Sequence, residues 1–343
     1  MVVTESSVRD LDAGWDEYVA SHSHGTLFHT TRWGKTVERF FPHRSRYLEV
    51  RREGQRAGVL PLFETRSILS GRGLVSVPYA VYGGPIADDE EAERALWERL
   101  REIVDAEGFK FAEVRCQREP AIELPGSELY LGFVKDLPDD PEECLKSIPR
   151  KSRATARQAR DKHGLRFEAL PDRVADFHRL FVLNKQKLGS PAFSRGWFDA
   201  LASSTDGSVQ LHGVLRGDEL LMAVLSFCHG KTFNPYSSGS VPQADRLGAS
   251  NFAYWQLMVT AVEQGYRSFD FGRSRAETGP WKFKKNMGFE PETLAYRYVL
   301  GLGGKIPEIN PGNPKFSLPR RIIQKMPLAL VKGIGPILMR WVP

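Results

Sequence analysis

"YLEVRREGQRAGVLPLF" (residues 47–63) and "LHGVLRGDELLMAVLSF" (residues 211–227) share one plan: an apolar-rich strand, a turn containing glycine, and a second apolar strand. After an irregular connection, each is followed by a helical pattern, a glycine and another strand. These are "ALWERLREIVDAEGFKFAEVRC" (95–116) and "FAYWQLMVTAVEQGYRSFDFG" (252–272). Gly108 and Gly265 sit where a helix C-terminus favours a left-handed residue. An earlier helix precedes each hairpin, "TTRWGKTVERFF" (30–41) and "VADFHRLFVLNKQKL" (174–188). Helix, hairpin, helix and strand, in that order and twice over, predict two related mixed α/β halves, each a mixed sheet flanked by helices. A length of 343 residues, more than one core usually supports, agrees. The expected division is residues 1–145, residues 146–302 and a C-terminal tail over 303–343.

The formal charge of +6 is local. Lys315, Arg320, Arg321, Lys325, Lys332 and Arg340 fall in residues 309–343 with no acidic residue, and the rest of the chain is balanced. The tail, "PRRIIQKMPLALVKGIGPILMRWVP", is basic and apolar. Pro and Gly interrupt it too often for a spanning helix, so it is expected either to pack on the body or to lie as an amphipathic segment on the inner membrane surface. Cys116, Cys144 and Cys228 are far apart and lack metal-ligand spacing, and the N-terminus has no signal-peptide pattern. These features point to a cytoplasmic protein, peripheral on the inner membrane if the tail docks there. His22 and His24 in "SHSH" read more simply as a polar loop than as metal ligands, and no metal is expected.

Between the halves, "SIPRKSRATARQARDKHG" predicts a short helix with Ser147 as N-cap and Gly164 as stop. Arg150, Arg153, Arg157 and Arg160 share one face, either a solvated connector or a phosphate-binding surface. "QADRLGASNFAYWQLM" (243–258) sets Arg246, Gly248 and Ala249 before a helix with Ser250 as candidate N-cap. The free N–H groups of a first turn attract an anion such as a donor pyrophosphate, although an ordinary loop has the same composition. "VSVPYAVYGGPIADD" (75–89) offers Tyr79, Tyr82, Gly83 and Gly84 as a ligand wall or as a tight turn covered by tyrosines. "FNPYSSGS" (233–240) gives a similar picture with Tyr236.

In "FDFGRSRAETGPWKFKKNMGFEPE" (269–292), alternation puts Phe269 and Phe271 on one face of a strand and Asp270 on the other, towards a cleft. Gly272 and Arg273 end the strand, and "AETGP" turns the chain so that "WKFKKNMGF" returns with Trp281 and Phe283 alternating with lysines. Lys284 near a reacting carbonyl would stabilise an oxyanion, whereas Lys282 and Lys285 read as solvated. No nucleophile elbow, Walker loop, H-E-x-x-H or nucleophilic Cys/His signature is present, which leaves direct transfer without a covalent enzyme intermediate or a metal.

These segments, together with "LFHTTRWGKTVERFFPHR" (27–44), resemble the FemAB-related proteins, in particular those associated with exosortase and exopolysaccharide loci of Gram-negative bacteria. The resemblance covers most of residues 15–300 and lies in the ordered combination of segments. It implies two GNAT-like (acyl-CoA N-acyltransferase) folds in tandem and transfer of an acyl or aminoacyl group to an amine of a cell-envelope, peptidoglycan or exopolysaccharide precursor. The relatives' charge-stabilising lysine matches Phe283-Lys284. The donor implied is acyl-CoA or aminoacyl-tRNA, and the lack of a long coiled-coil insertion in the second half counts against tRNA. The expected catalytic set is Lys284, Asp270 and Arg273, with Arg246, Gly248, Ala249 and Ser250 on the donor phosphate. Tyr79, Tyr82, Gly83, Gly84, Tyr236 and Phe283 are expected against substrate. An inactive GNAT-like scaffold that binds a polyanion or a membrane-bound partner is the alternative.

Overall fold

The computed structural model describes residues 1–67, 70–307 and 317–341. The chain forms two compact units. One comprises Met1–Tyr130, Thr293–Pro311 and Arg340–Pro343; the other comprises Leu131–Glu292 and Gly312–Met339. Lys315 of the basic tail lies outside the described residues.

In the first unit the strands are β1 (Val2–Ser6), β2 (Arg44–Arg52), β3 (Gln55–Ser67), β4 (Gly71–Ser76) and β5 (Phe111–Cys116). The hairpin between β2 and β3 turns at Glu53 and Gly54, both with positive φ (51° and 83°), the geometry that matches the twist of paired strands. Helix α1 (Thr31–Phe40) is capped by the Thr30 side chain, and α2 (Glu90–Ala106) by Asp89. Leu96, Trp97, Leu100 and Val104 of α2 fall at helical spacing and pack in one cluster with Leu48, Leu60 and Leu62 from the sheet.

In the second unit the strands are β6 (Val134–Asp136), β7 (Leu165–Ala169), β8 (Val209–Arg216), β9 (Glu219–His229), β10 (Thr232–Ser240) and β11 (Ser268–Asp270). Its helices include α3 (Arg150–Asp161), α4 (Val174–Leu188), α5 (Ala249–Glu263), α6 (Gly279–Asn286), α7 (Ser317–Lys325) and α8 (Leu328–Met339). The strand order is β7-β8-β9-β10-β11-β6. A last strand, β12 (Ala295–Leu300), returns to the first unit, whose order is β1-β2-β3-β4-β5-β12, with the short strand Gly126–Ser127 beyond it.

The two orders are the same. Four antiparallel strands lead to one parallel pair, β4 with β5 and β10 with β11, and an antiparallel strand closes each sheet. Gly108 and Gly265 are both left-handed, with φ of 66° and 82°, just past α2 and α5. The sixth strand of each sheet comes from outside the repeat: β6 precedes the second hairpin by about seventy residues of chain and β12 follows it. The expected halves divide the sequence by its repeat, whereas the compact units divide it by contact, so they differ at both joins.

Three local expectations are corrected. "WKFKKN" is helix α6, because Thr278 caps it by accepting the N–H of Trp281 and Pro280 occupies its first turn. Helix α3 begins after Pro149 without a side-chain cap; Ser147 instead closes the preceding turn, Glu143–Lys146. The N-cap of α5 is Gly248 with φ 69°, and Ser250 lies one residue inside the helix.

Candidate active site

Strands β10 and β11 run parallel yet pair only at Thr232 with Ser268 and Phe233 with Phe269. Past that point β10 continues to Ser240, held on its other side by β9. A gap therefore opens between two parallel strands, one of which has a backbone edge turned to it. At its closed end, Asn234 Nδ2 donates to the Asp270 carbonyl at 2.7 Å. Asn234 is 8% exposed, and its Oδ1 is buried with no hydrogen-bond partner among the described residues. An orphaned buried acceptor is costly, and this one lies beside the gap.

Asp270 is buried and its Oδ1 accepts the Gly272 N–H at 2.7 Å, which tightens the turn off β11. Lys284 reaches the same turn from α6. Its Nζ donates to the carbonyls of Gly272 (3.0 Å) and Arg273 (3.1 Å) and lies 5.0 Å from the Phe133 ring and 5.8 Å from that of Phe271. Burial pushes its pKa down to about 7, and the charge of Asp270 opposes that shift. Lys284 is the buried residue of α6, while Lys282 and Lys285 are exposed. A helical rather than a two-residue period separates them: Lys284 points inward together with half-buried Trp281 three residues earlier.

Aromatic rings wall this turn. Phe271 meets Tyr254 of α5 at 4.5 Å, and Tyr254 meets Phe283 at 5.5 Å. Burial raises the Tyr254 phenol, whose hydroxyl bonds the Ser238 side chain on β10. Farther along β10, a Cβ on Gly239 would stand 2.3 Å from Leu180 C and Phe181 N of α4, so only glycine admits that approach. Tyr236 is half-buried against Phe227 at 4.5 Å.

At the start of α5, Gly248 packs on α3, since a Cβ there would meet Thr155 Cγ2 at 2.7 Å. Ala249 is buried, Ser250 faces Met222, and Arg246 is exposed. The expected site residues thus lie in separate places. Asp270, Arg273, Lys284 and Phe283 gather at the turn after β11, and Arg246 to Ser250 form the entry to α5. Arg273 joins Lys284 through its carbonyl. Asn234 and Tyr254 were not singled out from the sequence, and nothing short of the strand pairing distinguishes Asn234 from any strand residue.

Tyr79, Tyr82, Gly83 and Gly84 belong to the first unit, where the gap past β4 and β5 is filled. The Gly83 and Gly84 N–H groups both donate to the Arg115 carbonyl at 3.0 Å. Arg115, 3% exposed, donates through Nη1 to the carbonyls of Val77 (2.8 Å) and Ala80 (2.9 Å) and through Nε to Glu113 (2.7 Å). Ser76 Oγ donates to the Gly83 carbonyl, Tyr79 bonds His43 at 2.8 Å, and both tyrosines are buried. These bonds make the segment a packed turn. Among the described residues, no group of three or more His, Cys, Asp or Glu side chains is arranged to hold a metal.

Residues 146–285, which span this site, match the acetyltransferase (GNAT) domain family. Among solved structures, FemX superposes with a TM-score of 0.66 at 17% identity, covering 87% of this chain and 96% of its own. A conserved protein of unknown function from Bacteroides thetaiotaomicron VPI-5482 gives 0.54 at 10% identity, covering 87% and 98%. The C-terminal domain assigned to a lysylphosphatidylglycerol synthetase of Agrobacterium fabrum gives 0.53 at 14%, covering 83% and 90%. None of the curated protein sequences matches the chain. The chain is thus a tandem of two GNAT-like folds with a FemX-like architecture. Its second half carries the match to the acetyltransferase (GNAT) domain family.

Proposed function

We propose that the protein transfers an acyl group from acyl-CoA to an amine of a cell-envelope or exopolysaccharide precursor on the cytoplasmic side of the membrane, using the gap of the second unit. The observation that carries this reading is the opening between β10 and β11, with Lys284 at the turn beside it. An unpaired strand edge is suited to an extended donor arm that carries amide groups, and Asn234 Oδ1 offers such an arm or the incoming amine an acceptor. The first-turn N–H groups of α5, with Arg246 nearby in sequence, suit the donor's phosphates.

In the reaction the amine lone pair adds to the thioester carbonyl carbon and the carbonyl electrons move to oxygen. The C–S bond then breaks, the thiolate leaves, and the amine nitrogen loses a proton. A lysine ammonium has three N–H donors, and two of those on Lys284 are engaged by backbone carbonyls, which leaves one for the developing oxyanion. The proton released by the amine goes to the departing thiolate, because an ammonium that donates to the oxyanion has no lone pair to accept it. Asp270, fixed by Gly272 N–H, holds the charge of Lys284 in place. Tyr236, Tyr254 and Phe283 would bound the acyl group.

Titration calorimetry of the full chain with acetyl-CoA and longer acyl-CoA tests the donor. Micromolar binding is the expected result. Absence of binding, with transfer from charged tRNA instead, would replace the CoA reading.

A further inference from the structure

Helices α7 and α8 are held on the second unit by one side only. Gln186 Nε2 of α4 donates to the Met326 carbonyl at 2.5 Å, and Gln324 Nε2 donates to the Lys187 carbonyl at 3.1 Å. Val331, Gly335 and Met339 recur every fourth residue on α8 and are buried; a Cβ on Gly335 would meet the Ala192 backbone at 2.7 Å. The opposite side is also apolar. Leu330, Ile334, Ile337 and Leu338, again at helical spacing, are 51%, 38%, 54% and 38% exposed, and Leu318 and Ile322 of α7 are 66% and 52% exposed. Such a face exceeds the scattered apolar residues of an ordinary surface.

Charge selects the occupant. Arg321 and Lys325 fall at helical spacing with Leu318 and Ile322 and are exposed, and residues 318–339 contain no acidic side chain. Arg179 of α4, on which both helices pack, is exposed as well. A second copy of the same face would bring like charges together. No helix among the described residues is long and apolar enough to cross a membrane, and the 12 residues of α8 extend only about 18 Å against a hydrocarbon core of about 30 Å. An apolar face rimmed by cations on a short helix suits the plane of an anionic lipid surface.

We infer that the outer face of α7 and α8 docks the protein on an anionic phospholipid bilayer, with Ile334, Ile337 and Leu330 in the acyl boundary and Arg321 and Lys325 on the headgroups. This goes beyond the acyl-transfer reading and is measured with no acyl donor present, so either can fail alone. The test is flotation of the full chain with vesicles of pure phosphatidylcholine and of phosphatidylcholine containing one third phosphatidylglycerol. Binding is expected on the anionic vesicles only and should weaken as salt rises. Ile334→Glu with Ile337→Glu should abolish it, and Arg321→Glu with Lys325→Glu should weaken it at least about tenfold, since each cation near the surface is worth roughly fivefold. Both variants alter exposed side chains, and an unchanged melting profile would confirm that they fold. Equal binding to both vesicle types, no binding to the anionic ones, or flotation indifferent to Ile334→Glu with Ile337→Glu would each overturn the inference. So would a concentration-dependent dimer in sedimentation that those glutamates dissolve, because the face would then belong to a second copy.

Discussion

The two units run the same strand order and differ in the space past the central parallel pair. In the first unit, residues 77–84 fold into that space and Arg115 ties them down from below. In the second, β10 continues past β11 paired only on its other side, to β9, and the equivalent space is edged by Asn234, whose oxygen has no partner among the described residues, and by the turn that holds Lys284. A filled gap satisfies its own hydrogen bonds and is a structural element. An open one leaves a buried acceptor, Asn234 Oδ1, for something else to satisfy.

The contrast can be broken most sharply through Lys284. Its pKa is near 7 in the fold and 10.5 when solvated, so across that window the unfolded chain holds a proton that the folded one has released. Stability from this group is therefore absent below about pH 7 and grows as pH rises, by at most about 1.4 kcal/mol per pH unit. Lys284→Met should flatten that rise, as read by urea denaturation at pH 7, 8 and 9; an equal slope in both proteins would mean that the lysine is not desolvated.

In the first unit, Arg115→Ala removes three donors from buried acceptors and should cost about 3 kcal/mol of stability. Acyl-donor affinity at the second unit should not change, and a selective loss of donor binding with stability retained would show that the filled gap is a ligand site after all. Lys284→Ala should lower turnover at least tenfold, and up to about a hundredfold, with folding intact; an unchanged rate removes it from the mechanism. The smallest effect is expected at Asn234→Leu, which deletes both the bond to Asp270 and the orphan oxygen. Those two changes offset, so stability should move by about 1 kcal/mol or less while KM for the donor rises severalfold. A large stability loss with KM unchanged would make Asn234 only a strand clamp.

Much of this architecture was readable along the chain, because hairpins, helix stops at Gly108 and Gly265 and apolar spacing are local properties, and a duplicated local pattern is visible twice. The period of "WKFKKN" was misread because aromatic and lysine residues alternate there in pairs that suit a strand. The Thr278-Gly279-Pro280 start is the signal for a helix, and only the helix puts Lys284 inside and its neighbours outside. Gly83 and Gly84 were open to two readings, and bonding to Arg115, about thirty residues away, favours the turn.

By itself the sequence determined the repeat, the mixed α/β class and the basic apolar tail, since each rests on composition and short-range spacing, and it singled out Lys284 and Asp270 as candidates. Tertiary structure alone decided which strand closes each sheet, which gap is filled, that Asn234 lies at the open one, and which face of α8 is left uncovered. Those facts depend on pairings between segments far apart in the chain, and pairing energy is set by geometry that no local pattern encodes.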